Sequence, residues 1–208
     1  RVLFLTREFP FPANHGGKIR DYQILRALSE HREIELVCFK SPENQFREPV
    51  VPDHLKIAKV SVIPCTEAAL QQALQEAKPR CSILWASQSD LACYMKAAKS
   101  MGYSLIWDAN AVQSKIIFEN AFRSLWTLGQ IFKAIGQLLN EKKAGRIAKL
   151  VVVSSEIEAF RMRRLAPAAK IRVIPNCVDI DHYEEARTKK GATLFFSGSL
   201  DHFPNIQA

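Results

Sequence analysis

The sequence is poor in the devices that mark secreted, metal-binding or membrane-spanning proteins. Its five cysteines, Cys38, Cys65, Cys81, Cys93 and Cys177, are odd in number and widely spaced, with no CxxC among them. That pattern argues against a disulfide framework or a zinc site and for a reducing cytosol. No basic-then-apolar leader is found, and a cytoplasmic location is expected. The most apolar window, Leu125 to Leu139, is interrupted by Lys133 and falls short of the ~20 residues a bilayer-crossing helix needs. Neither GxGxxG nor GxxxxGK[ST] nor GxSxG occurs. Dinucleotide, P-loop and serine-hydrolase readings therefore lack their carriers.

What is present is an ordinary globular composition, 48% hydrophobic and 24% charged over 208 residues, enough to bury a sizeable core. The formal charge is +8, from 29 Lys and Arg against 21 Asp and Glu. Such a balance favours a polyanionic partner or is simply a basic solvated surface. Two clusters concentrate it: Lys142, Lys143, Arg146 and Lys149, then Arg161, Arg163, Arg164, Lys170 and Arg172. A nucleic-acid partner would rest on charge alone, and none is expected.

Short apolar runs at Val2–Leu5, Ile34–Phe39, Val60–Ile63, Ile83–Ala86, Leu105–Trp107, Leu150–Val153 and Ile171–Ile174 predict strands. Between them, Ile19, Tyr22, Leu25 and Leu28 recur at helical spacing, with Ile24 widening the stripe. Thr66 is a predicted N-cap for a helix reaching Ala77, with Pro79 beyond its end. Leu91–Ala98 is predicted helical, and Val112–Ile147 as a long helical stretch broken at Gly129 and Gly136. Ser155 is predicted to cap a further helix, with Glu158 as its capping-box partner. Strands alternating with helices imply right-handed βαβ units, hence an α/β, Rossmann-like, doubly wound parallel sheet with helices on both faces. This domain is predicted over 1–178. The polar stretch 179–191 reads as an interdomain linker. A new strand at Thr193–Ser197, followed by Gly198, reads as the start of a second domain over 192–208, so the chain is expected to be a fragment cut just inside that domain.

Ligands of open parallel sheets bind beyond the carboxyl ends of the strands, where four loops should meet: Arg7–Lys18, Ser87–Asp90, Asp108–Ser114 and Ser154–Glu156. In the first, HGGK leads into a helix. Gly16 and Gly17 either make a turn or let backbone N–H groups and the helix dipole hold an anion. Asp108 could act as a base, bind sugar hydroxyls or cap the next segment. Ser154, Ser155 and Glu156 lack a nucleophile elbow, and capping explains Ser155.

Three segments, VLFLTREFPFPANHGGKIRDYQILRAL, VVVSSEIEAFRM with KIRVIPNCVD, and LFFSGSLDHFPNIQA, occur in the order seen in retaining glycosyltransferases of family 4. The chain resembles the N-terminal domain of that family, whose two-domain fold is GT-B. The resemblance implies transfer of a sugar from a nucleotide-sugar donor to a saccharide or lipid-linked saccharide acceptor, with retention and without a metal or other cofactor. It implies that Gly16 and Gly17 face the donor phosphates, that Lys18 or Arg20 adds charge, and that Ser155 and Glu156 belong to the same donor–acceptor cleft. Asn176 and Asp179 fall at the interdomain hinge. The segment DANAVQS resembles the family's DAHNVES. Asp108 and Asn110 are thus the candidate catalytic residues, although asparagine in place of histidine can hydrogen-bond a hydroxyl but not transfer protons near neutral pH. That departure keeps an alternative open, a non-catalytic carbohydrate-binding or regulatory protein on a degenerate transferase scaffold. In IPNCVD, Cys177 replaces the usual glycine, so no left-handed backbone is expected there. Finally, Ile116–Lys149 joins Phe118, Phe122, Leu125, Trp126, Ile131 and Phe132 to a basic cluster. It could contact an anionic membrane at its inner face, or serve as a flap or dimer contact.

Overall fold

The computed structural model describes residues 1–40, 50–123 and 128–180. Predicted linker and second-domain segments from 181 onward lie outside the described residues, as do the side chains of Phe122, Leu125 and Trp126. The chain divides after Val178 into two compact units, the first being Arg1–Val178.

Among its described residues that unit has seven strands: β1 (Val2–Thr6), β2 (Ile34–Phe39), β3 (Ile57–Ile63), β4 (Ile83–Ser87), β5 (Ser104–Asn110), β6 (Leu150–Val153) and β7 (Ile171–Val173). They form one sheet in the order β3-β2-β1-β4-β5-β6-β7, every pairing parallel. All residues of β1 and β2 are buried, which is why these runs are apolar without alternation except at Thr6 and at Glu35, whose carboxylate accepts from Arg80 at 2.6 and 2.8 Å. The two edges are blunted differently: β3 exposes Lys59, and β7 is three residues long and exposes Arg172.

Six α-helices among the described residues cover the sheet: α1 (Gly16–His31), α2 (Glu67–Ala77), α3 (Met95–Ser100), α4 (Gln113–Arg123), α5 (Leu128–Ile147) and α6 (Glu156–Leu165). One face packs Leu3, Leu5, Phe39, Leu84, Leu105 and Trp107 against α2, α3, α5 and α6. The other packs Phe4, Leu36, Trp85 and Val152 against Ile24 and Leu25 of α1, with Phe9, Phe11 and Leu55 alongside. Each fully buried leucine or phenylalanine contributes about 1.5–3 kcal/mol, so these two layers hold the frame.

Three local readings need correction. Leu91–Ala98 is not one helix but a 3-10 segment, Ser89–Tyr94, leading into α3. Gly136 does not break α5, which runs through it, as it does through Gly129. Its flank is open, with nothing within 4 Å of an added Cβ, so the cost is only glycine's helix propensity, about 1 kcal/mol. The capping box is half formed: the Ser155 hydroxyl accepts from Glu158 N at 3.3 Å, but the Glu158 carboxylate turns to Val112 N at 2.7 Å and to Arg161.

Candidate functional site

The strand order reverses between β1, whose neighbours β2 and β3 lie to one side, and β4, which leads to the other. Loops leaving β1 and β4 must part there, opening a crevice at the carboxyl edge. The loop from β1 is anchored by Phe9 and Phe11, buried and packed edge-to-face at 5.4 Å, with Phe11 in turn against Tyr22 of α1 at 5.9 Å. It then delivers Gly16 and Gly17 as the first two residues of α1. His15 holds the N-cap position with an extended backbone, and its side chain caps nothing.

Neither glycine is required by the folded chain. A Cβ on Gly16 would meet nothing within 4 Å. On Gly17 it would touch the His15 ring at 3.5 Å and Gln88 Nε2 at 3.6 Å, ordinary contact distances. Neither backbone is left-handed. The open space stands at the positive end of a 16-residue helix. Lys18, expected to add charge there, is buried, and its Nζ lies 3.5 Å from Glu8 Oε2, which also faces His15 Nε2 at 3.5 Å.

Beneath the glycines, the first turns of α1 bury a polar face. Arg20 is 4% exposed and pairs with the fully buried Asp108 at the end of β5, Nη2 to Oδ1 at 2.9 Å and Nε to Oδ2 at 3.0 Å. Its Nη1 donates to the Ile174 carbonyl at 2.8 Å and to Asn176 Oδ1 at 2.9 Å. One guanidinium therefore ties α1, β5 and the segment after β7. Arg20 is committed to this anchor instead of facing a ligand. Burial pushes the Asp108 carboxyl upward while the Arg20 guanidinium counters it. With its oxygens held by Arg20 and by Asn110 N at 3.2 Å, Asp108 is placed to position its neighbours and not to exchange protons with a substrate.

Sequence reasoning missed Asp21. It is buried beside Arg20 and accepts hydrogen bonds from the hydroxyls of Thr6 and Ser87, the last residues of β1 and β4. Burial pushes its carboxyl from 3.8 up to about 6, against the opposing pull of those hydroxyls. A carboxyl with a raised folded-state value binds its proton more tightly in the native state, so stability falls as pH rises from about 4 to about 6. The difference is worth about 3 kcal/mol. Asp21→Asn is accordingly expected to be more stable than the parent at pH 7.5, with the advantage gone at pH 4. Urea midpoints at the two pH values check this, and an advantage that did not change with pH would remove burial as the cause.

Two non-glycine residues among those described have left-handed φ values, Gln88 at 86° and Asn110 at 54°. Cys177, as expected, is not one of them. Gln88 directly follows β4 and Asn110 ends the neighbouring β5, at the crevice, where such strain collects. Asparagine tolerates this conformation better than most residues. The Asn110 carbonyl accepts from Ser154 N at 3.0 Å and Ser154 Oγ at 2.8 Å, and the residue as a whole is half-buried. The turn beyond it is gripped by two buried glutamates, Glu158 at Val112 N and Glu141 at Gln113 N, 2.8 Å, and Ser114 N, 3.2 Å. Burial raises the Glu141 carboxyl above its ordinary value, and its Ser114 and Gln137 partners oppose that. Of the remaining candidates, Ser155 is used as the α6 cap, and Glu156 is exposed 3.9 Å from Arg163. Asn176 is held by Arg20, while Asp179 falls in the second compact unit. No cluster able to hold a metal ion is found among the described residues.

No family model and no curated protein matches the chain. Solved structures do. Sucrose-phosphate synthase from Thermosynechococcus elongatus is similar over 84% of this chain and 48% of its own, with 14% identity and a TM-score of 0.57. Medicago truncatula UGT71G1, complexed with UDP-glucose, is similar over 91% and 54%, with 12% identity and a TM-score of 0.51. Phytolacca americana UGT2, complexed with UDP-2fluoro-glucose and pterostilbene, is similar over 84% and 53%, with 9% identity and a TM-score of 0.52. The chain thus spans close to half the length of these proteins. What they share with it is the fold, the Rossmann-like α/β architecture of GT-B glycosyltransferases.

Proposed function

We propose that the chain is the acceptor-side domain of a glycosyltransferase that moves a sugar from a nucleotide-sugar donor to a saccharide or lipid-linked saccharide, with retention at the anomeric carbon. One observation carries this reading: Gly16 and Gly17 open α1 at the crevice, where a Cβ on Gly16 would meet nothing and one on Gly17 only ordinary contacts, so the folded chain itself does not demand either glycine. Backbone N–H groups there suit a pyrophosphate that must come closer than any side chain would permit. The UDP-sugar complexes among the similar structures support the donor class.

Asn110, half-buried at the crevice, then orients a sugar hydroxyl with its amide, and no side chain of this domain needs to act as acid or base. The acceptor oxygen attacks the anomeric carbon on the face from which the nucleotide departs. As the bond to the donor phosphate breaks, the acceptor proton passes to the leaving phosphate oxygen. Catalysis rests on positioning and on stabilising that phosphate.

The test is a screen of nucleotide sugars with the full-length protein, reading product configuration by NMR. A product with the donor's anomeric configuration is expected. An inverted product would end the retaining mechanism, and donor binding without transfer from any sugar would favour the non-catalytic scaffold.

A further inference from the structure

Helix α5 presents two faces that the fold treats differently. Ala134, Glu141, Ala144 and Gly145 point inward and are buried. Opposite them, Phe132, Ile135, Leu139, Lys142, Lys143 and Arg146 share one stripe, spanning about a third of the helix circumference. All six are exposed, Phe132 to 68% and Leu139 to 49%. The stripe is apolar over its first half and cationic over its second. The one carboxylate of α5, Glu141, is turned into the protein, so nothing acidic interrupts the outer face. Ile116, on the neighbouring α4, is exposed as well.

We propose that this stripe is the contact of the chain with an anionic lipid surface. Phe132, Ile135 and Leu139 enter the boundary between headgroups and acyl chains, and Lys142, Lys143 and Arg146 meet lipid phosphates at headgroup level. The helix lies at the interface and does not cross it: no helix among the described residues is long and apolar enough to span a bilayer. Charge decides between occupants. A second copy laid antiparallel would set apolar residues on cations, and one laid parallel would set cations on cations. A nucleic acid would satisfy the cations but leave Phe132 and Leu139 in water, where apolar surface is costly. An anionic bilayer offers both layers together. This inference does not depend on sugar transfer.

Vesicle co-sedimentation of the full chain tests it without reading activity. Binding is expected to phosphatidylcholine vesicles containing phosphatidylglycerol and not to phosphatidylcholine alone, and it should weaken with salt. Phe132→Ser/Leu139→Ser should weaken binding about tenfold, and Lys142→Gln/Lys143→Gln about fivefold per residue. Both variants alter exposed positions, and melting temperatures verify that they remain folded. Equal binding to both vesicle types would overturn the proposal, as would unchanged binding by the Phe132/Leu139 variant. So would a dimer that Phe132→Ser dissociates without any vesicle binding, or retention of nucleic acid in its place.

Discussion

Gly17→Val is expected to cut donor turnover by the full-length enzyme about a hundredfold while leaving its melting temperature nearly unchanged. The fold tolerates the substitution because the Cβ would stand 3.5 Å from His15 and 3.6 Å from Gln88 and the backbone is not left-handed. Losing a helical glycine even offsets part of the strain, since glycine is about 1 kcal/mol worse than alanine in a helix. The valine branches, however, occupy the space through which a donor phosphate would reach the first-turn amides. Gly16→Ala, with open space around its Cβ, should show a milder form of the same loss. Steady-state kinetics and thermal melting, run on the same preparations, separate the outcomes. Parent-like turnover by Gly17→Val would remove the phosphate role, and a large fall in melting temperature would make the glycine structural.

The largest stability effect is expected at Arg20. Arg20→Ala strips the buried Asp108 of its guanidinium and leaves the Ile174 carbonyl and Asn176 amide oxygen without their donor. Removing one member of a buried ion pair costs about 3–5 kcal/mol, because the remaining charge is stranded in low dielectric. Asp108→Ala should also destabilise the fold, but the double variant should lose well under the sum of the two. A double-mutant cycle from denaturant midpoints measures that coupling. The single Arg20 variant should also regain stability on acidification, as Asp108 takes up a proton that Arg20 no longer disfavours. Additive losses with no pH dependence would mean that the pair does not hold α1 to β5.

The architecture was legible because buried parallel strands announce themselves as short, mostly apolar runs without alternation. Ile34–Phe39 and Leu150–Val153 coincide with β2 and β6, and Thr66 and Ser155 cap their helices as predicted. Periodicity failed at α1 for a physical reason. The stripe through Ile19, Tyr22, Leu25 and Leu28 assumes that a helix buries apolar residues along its whole length. The first turns of α1 instead bury Lys18, Arg20 and Asp21, because the strand ends beneath them present Thr6, Ser87 and Asp108 in place of aliphatic groups. Polar burial depends on partners that lie far away in sequence, and no local pattern carries that information. The same limit hid Glu141, which looks like a solvent-facing helical glutamate, and hid the grip on Val112 of Glu158, expected only as a capping-box partner. Gly16 and Gly17 could be located in the sequence, but the open space beside Gly16 could not.

The separations within the Arg20 network bear on how the molecule assembles. Arg20 meets Asp108 across 88 residues and Asn176 across 156. On a ribosome, the first helix is synthesised long before either partner leaves the exit tunnel. Domains form with their N-terminal parts available first, yet contacts this distant must wait for the chain between them to be ordered. The crevice floor therefore closes late, after the apolar layers have brought β5 and β7 into register. Until then the nascent α1 carries its cations and Asp21 in water, and the binding edge takes shape only as synthesis passes Asn176.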